Sequence, residues 1–115
     1  MPIINSYSFG RMVIDDSLYT KDVIIFPDGR IHSPWWRKQG HVLTKNDLAE
    51  LITSGPETII CGTGAMGVMQ PTDELKEYLA SGNIQFIFQK SGKAVETYNQ
   101  MSGIRKIGGC FHLTC

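Results

Sequence analysis

The chain has 115 residues and a mass of 12.8 kDa, with 11 Lys and Arg against 11 Asp and Glu. That length fits one domain, and area scaling puts roughly two thirds of the unfolded surface out of water, enough for a core without metal or disulfide staples. An apolar fraction of 42% with 19% charged residues excludes a disordered tail, and a formal charge of zero excludes nucleic-acid binding through a uniformly basic surface.

The first third of the chain reads as β. Residues 7–14 mix aromatic and β-branched side chains and are closed by the turn cluster Asp15-Asp16-Ser17. Val23-Ile24-Ile25-Phe26 is a short apolar strand, followed by Pro27-Asp28-Gly29, where Asp-Gly supplies the positive φ of a tight hairpin. Arg30-Ile31-His32 is the return strand, and Pro34 ends it because proline cannot donate to a ladder.

Helices and strands then alternate. Thr44 with Asp47 three residues on predicts a capped helix with Leu48, Leu51 and Ile52 on its inner face. Gly55-Pro56 stops it, and Thr58-Ile59-Ile60-Cys61 is a buried strand. A second helix opens near Thr72, with acids in its first turn and Leu75, Tyr78 and Leu79 inward. Residues 84–88 form the next strand. Ser91 is placed to cap a third helix with Ala94, Val95, Tyr98 and Met101 inward, and residues 104–115 make a last strand or bent strand pair. Hairpins followed by helix–strand alternation predict a single α/β domain over residues 1–115 with a partly parallel sheet and right-handed crossovers.

Three segments carry candidate chemistry. Gly62-Thr63-Gly64-Ala65-Met66-Gly67 matches G-x-G-x-x-G after a strand, which makes Gly62, Thr63, Gly64 and Gly67 candidate ligand-binding residues. A dinucleotide site also needs a helix opening inside the motif and an acid about 20 residues on. Here Met69-Gln70-Pro71 intervenes, and Phe88-Gln89-Lys90 stands where the acid belongs. A tight, closely packed turn is the plainer reading, and a small-anion site on backbone N–H groups is the alternative. Residues 30–45 hold Arg30, Arg37, Lys38 and Lys45 with no acid, around Trp35 and Trp36. Trp35, Trp36, Arg37 and His41 are candidates for an interaction surface, since interfaces favour Trp and Arg. Adjacent tryptophans in extended chain point to opposite faces, so a one-sided core can bury only one of them. The ending Cys110-Phe111-His112-Leu113-Thr114-Cys115 puts Cys110 and His112 on one strand face as a possible thiolate–imidazole pair. Cys110 and Cys115 are the redox candidates, although a cysteine in an apolar strand is usually an inert small hydrophobe. Arg37 or His41 is expected to meet the carboxylate of Cys115. No second close ligand pair exists, so neither a metal nor any other cofactor is expected.

These pieces also resemble a known family: Phe9-Gly10, Tyr19 with Asp22-Val23, Trp36-Arg37 with His41, Cys61-Gly62-Thr63-Gly64, Tyr98-Asn99 and the ending Gly109-Cys110-Phe111-His112-Leu113-Thr114-Cys115. Their order is similar to that of the domain-of-unknown-function family that includes the mitochondrial NADH dehydrogenase (complex I) alpha-subcomplex assembly factor 3 and the adipogenesis-associated domain protein. The resemblance covers nearly the whole chain. It implies a three-layer α/β domain with a central mixed sheet whose last strand runs antiparallel, and it implies no catalytic residues. The mitochondrial relatives assist assembly of a respiratory complex. Two adjacent tryptophans and the short Gly40-His41 loop set this chain apart from them.

The expectation is therefore a non-enzymatic binding or assembly-factor-like module that meets a protein partner. A small-molecule or anion-binding protein built on Gly62–Gly67 is the alternative. RNA binding is disfavoured because the basic segment is short. No apolar run reaches 18 residues, so no membrane span is expected. Met1-Pro2-Ile3-Ile4-Asn5 reads neither as a signal peptide nor as an Arg-rich presequence, and three sparse cysteines point to a reducing, cytoplasmic setting.

Overall fold

The computed structural model describes residues 2–115. At its centre lie three strands buried along their whole length: β4 (Val23–Ile25), β7 (Thr58–Thr63) and β10 (Ile107–His112). Strands apolar on both sides need cover on both faces, and the chain supplies it as two further layers. With β5 (Ile31–His32) and β9 (Gln85–Gln89) they form a five-stranded sheet in the order β5-β4-β10-β7-β9. Successive residues alternate between two cores. Val23, Ile25, Ile60, Ile107 and Phe111 belong to one cluster, and Ile24, Phe26, Ile59, Cys61 and Cys110 to the other.

The first cluster is closed by α3 (Ser91–Met101) and by a small antiparallel sheet of β1 (Ile4–Ser8), β2 (Arg11–Ile14) and β3 (Ser17–Tyr19). Residues 7–14, expected as one strand, turn back at Gly10, whose φ of 77° suits a glycine. Phe9 on that turn is exposed. Asp15 and Asp16 both take positive φ and make the β2–β3 hairpin, as the turn cluster predicts. The second cluster is closed by α1 (Ala49–Thr53) and α2 (Asp73–Ser81). Thr72 caps α2 by accepting from Leu75 N–H at 3.1 Å, and Gly82 ends it. The Thr44–Asp47 box forms, but around a 3-10 turn at Asn46–Leu48 that leads into α1. Tyr78, expected inward, lies outside with Lys45 Nζ 4.6 Å from its ring centre. Two short parallel strands, β6 (Val42–Leu43) and β8 (Gln70–Pro71), fasten the tryptophan segment to the chain beyond the glycine motif.

The expectation for the last strand holds on one side only. β10 is antiparallel to β4 but parallel to β7, so β4, between β5 and β10, is the reversed strand of the sheet. The reason is connectivity: β10 follows β9 through a helix, and such a crossover returns the chain in the same direction. α2 and α3 lie on opposite faces and carry the chain in opposite directions across the sheet, so the two crossovers share one hand.

Candidate functional site

The ends of β10 and β7 meet four loops at one end of the sheet, and Leu113, Thr114 and Cys115 run between them. Gly10 N–H, at the β1–β2 turn, donates to Leu113 O at 2.8 Å. Ala65 N–H donates to Thr114 O at 2.7 Å and Val68 N–H to Cys115 O at 3.1 Å. Leu113 N–H donates to Asp22 Oδ1 at 2.7 Å, and Tyr7 Oη to Leu113 O at 2.9 Å. Beside this segment lies a cleft of about 430 Å³ lined by Thr20, Asp22, Trp36, Arg37, Gly40 and Thr114, among others.

Asp22, Arg37 and His112 form a polar knot beside the cleft. Asp22 Oδ2 lies 2.9 Å from Arg37 Nη1 and 2.8 Å from His112 Nδ1. Arg37 Nη2 donates to Gly40 O at 2.9 Å, and its guanidinium sits 4.6 Å from the Trp35 ring centre. Burial pushes the Asp22 carboxyl up. Hydrogen bonds from His112, Leu113 N–H and Arg37 together outweigh that and hold it below the ordinary carboxylate range. The His41 ring meets His112 edge-on at 5.9 Å, and His112 Nε2 is buried with no hydrogen-bond partner among the described residues.

The structure thus gathers most of the sequence candidates around His112, in roles that differ from those expected. Trp35 and Arg37 are not surface residues. Trp35 is buried with Nε1 donating to Asp47 O at 3.1 Å, and the Arg37 side chain is only 4% exposed. Arg37 turns inward because Asp22 supplies a buried counter-charge, so it pairs there and not with the carboxylate of Cys115. Trp36, at 78% exposed, and His41 remain outside. Arg30 pairs with Asp28 at 2.8 Å and Lys45 covers Tyr78, so three of the four cations between residues 30 and 45 are engaged locally.

The glycine motif is packed from every side. A Cβ on Gly62 would stand 2.7 Å from Ser91 Oγ. On Gly64, with φ of 108°, it would stand 2.5 Å from Cys115 O and 2.9 Å from His112 Cδ2. The N–H groups of Gly64, Ala65, Gly67, Val68 and Met69 all donate within the protein. An anion on this loop would have to displace those bonds. Thr63 Oγ1 likewise donates to Gln89 O at 3.0 Å, and Gly67 rests on the Lys90 side chain.

Cys110 faces Cys61 across the β10–β7 pairing, and both are fully buried free thiols. Burial pushes the Cys110 thiol well up, and Cys61 beside it adds to the rise, which disfavours the thiolate. Cys110 shares a sheet side with His112 but makes no hydrogen bond to it. Among the described residues, no group of three or more His, Cys, Asp or Glu is placed to hold a metal ion.

Sequence reasoning missed two members of the site. Ser91 does not cap α3. It lies fully buried in the first turn, donating from Oγ to His112 O at 2.6 Å and accepting from Gly64 N–H at 2.9 Å. Asp22 was visible only as a residue of the family resemblance; its physical signal is a lone acid directly before an all-apolar strand. Among the described residues, no helix is long and apolar enough to cross a membrane.

Comparison with solved structures finds this fold elsewhere. The conserved hypothetical protein PH1505 from Pyrococcus horikoshii OT3 superposes with a TM-score of 0.85 at 23% identity, covering 97% of this chain and 98% of that one. The protein MT938 gives 0.82 at 24% identity, with both chains covered in full. XCC1710 from Xanthomonas campestris gives 0.80 at 16% identity, covering 98% of this chain and 85% of that one. At these identities the likeness establishes the fold. The sequence pattern of the family described as "Protein of unknown function (DUF498/DUF598)" matches residues 4–112, nearly the whole chain, and the protein belongs to that family.

Proposed function

We propose that this protein is a non-enzymatic binding module, of the kind used in assembly, that meets a protein partner through the loop end of its sheet. The observation that carries the reading is the opposite fate of the two tryptophans. Trp35 is locked in the core and Arg37 is locked to Asp22, so Trp36 between them is held out on a fixed backbone. An aromatic side chain displayed on a pre-ordered loop loses little entropy on binding and is a typical anchor of protein interfaces. The exposed Phe9, Met66 and Val68 stand on the other loops that bond to residues 113–115, which extends the apolar surface around the same strand end. The assembly role of the mitochondrial relatives is a precedent for such a surface. Two adjacent unbonded cysteines in the core fit a reducing compartment, and the cytoplasm is the proposed location.

The test is capture from cell extract on immobilised wild type and Trp36→Ala. The substitution removes an exposed side chain, so stability is expected within about 0.5 kcal/mol of wild type. Partner retention is expected to fall by roughly 30-fold or more, the effect of losing one interface anchor. Recovery of the same proteins in the same yield by the variant would overturn the proposal.

A further inference from the structure

The outer edge of β9 is a long, unpaired strand edge of the main sheet. At the far side of the sheet β5 has two residues and Pro34 shortly follows it, the usual protection of an edge. In the small sheet, Asn99 covers the β1 edge at Ile4, accepting from its N–H at 3.0 Å and donating to its O at 2.8 Å. β9 has five residues, Gln85-Phe86-Ile87-Phe88-Gln89, with no proline, glycine or charge. Such an edge pairs with other strands unless something prevents it.

The direction of its backbone is fixed. Gln85 N–H donates toward β7, to Glu57 O at 3.0 Å, and Gln89 O accepts from Thr63 Oγ1 on β7. Backbone groups alternate sides along a strand, so the N–H and C=O of Phe86 and Phe88 point away from the sheet. The side chains alternate too. Phe86 and Phe88 lie together on the α2 face with ring centres 5.3 Å apart, while Ile87 packs toward the α3 core.

The sequence of β9 is a palindrome, and this identifies the occupant. We propose that β9 pairs antiparallel with β9 of a second copy of this chain, about a twofold axis at Ile87. That register sets Phe86 against Phe88 of the second copy, Gln85 against Gln89, and Ile87 against itself. The outward groups of Phe86 and Phe88 then form four hydrogen bonds, and four phenylalanine rings share one face. The strand itself carries no charge, and Lys76 on α2, with Nζ 5.4 Å from the Phe88 ring centre, is paired with Asp73 at 3.5 Å. A twofold interface requires a surface that is complementary to itself, which this palindrome provides in both hydrogen bonding and side-chain identity.

Sedimentation equilibrium across the micromolar range tests the state. Wild type is expected at twice the chain mass of 12.8 kDa, and Phe88→Lys, which places a charge opposite Phe86, at the single-chain mass. Register is tested in a Cys115→Ser background under mild oxidation. Ile87→Cys is expected to cross-link between copies, since directly opposed residues in a non-hydrogen-bonded pair lie about 4.5 Å apart, within disulfide reach. Gln85→Cys is expected not to, being about 13 Å from its own copy. A monomeric wild type, a dimer unaffected by Phe88→Lys, or equal cross-linking of the two cysteine variants would overturn the proposal.

Discussion

Asp22 is the residue on which the loop end depends. It accepts Leu113 N–H and faces both Arg37 and His112, so one carboxylate holds the end of β10 to the tryptophan segment. Its carboxyl titrates below the ordinary range in the folded protein, and its unfolded value is about 3.9. The folded state therefore binds fewer protons than the unfolded state between those two values. Asp22 contributes its full stabilisation above about pH 4 to 5, and the contribution is lost as pH falls through the folded value. Urea unfolding against pH is expected to show this acid loss in wild type and a flatter profile in Asp22→Asn. At neutral pH Asp22→Asn is expected to cost on the order of 3 kcal/mol, because it leaves Arg37 buried without its counter-charge. Equal acid slopes in the two proteins would rule this role out. Neither Asp22's pairing nor Ser91's bridge was legible in the sequence: Asp22 meets His112 and Leu113 90 and 91 positions away, and Ser91 joins Gly64 and His112, 27 and 21 positions away, which only tertiary packing brings together.

At the level of elements, the glycine motif packs closely against α3 and the residues after β10. Gly62, Gly108 and Gly109 leave room for Ser91, Leu51 and Tyr98 respectively against the sheet, and Gly64 leaves room for the carbonyl of Cys115. Gly64→Val combines a left-handed backbone with a collision against main chain. Thermal and urea unfolding should place its cost at about 3 kcal/mol or more. Gly92→Ala, in α3 with open space around the new methyl, should instead stabilise by about 0.5–1 kcal/mol. A Gly64→Val protein as stable as wild type would contradict this packing role. The elements themselves were largely legible: the Asp28-Gly29 hairpin, the helix start near Thr72 and the apolar strands each follow from local rules. The exceptions have local causes that compete. Gly10 splits a β-rich run, and Thr44–Asp47 caps a 3-10 turn before a helix of only five residues.

Across the whole molecule, two cores on either side of one sheet leave little reactive chemistry exposed. Cys61 and Cys110 sit in the second core, so they reach solvent only when the sheet opens. Thiol labelling of native protein is expected to give one rapid reaction, at the partly exposed Cys115, and two that wait for global unfolding. Three rapid thiols without denaturant would contradict this. The neutral net charge of the chain also takes on structure. Of the cations between residues 30 and 45, Arg30, Arg37 and Lys45 are spent on Asp28, Asp22 and Tyr78, so the segment displays an aromatic residue more than a positive field. The sequence alone determined the α/β class and most of the order of the elements, because these follow from periodicities of a few residues. Only the tertiary structure decided that β4 is the reversed strand, that Arg37 is buried and that the glycine loop, Ser91 and the chain's last residues interlock. Those outcomes depend on which distant segments become neighbours, and that is settled by the packing of two cores against one sheet.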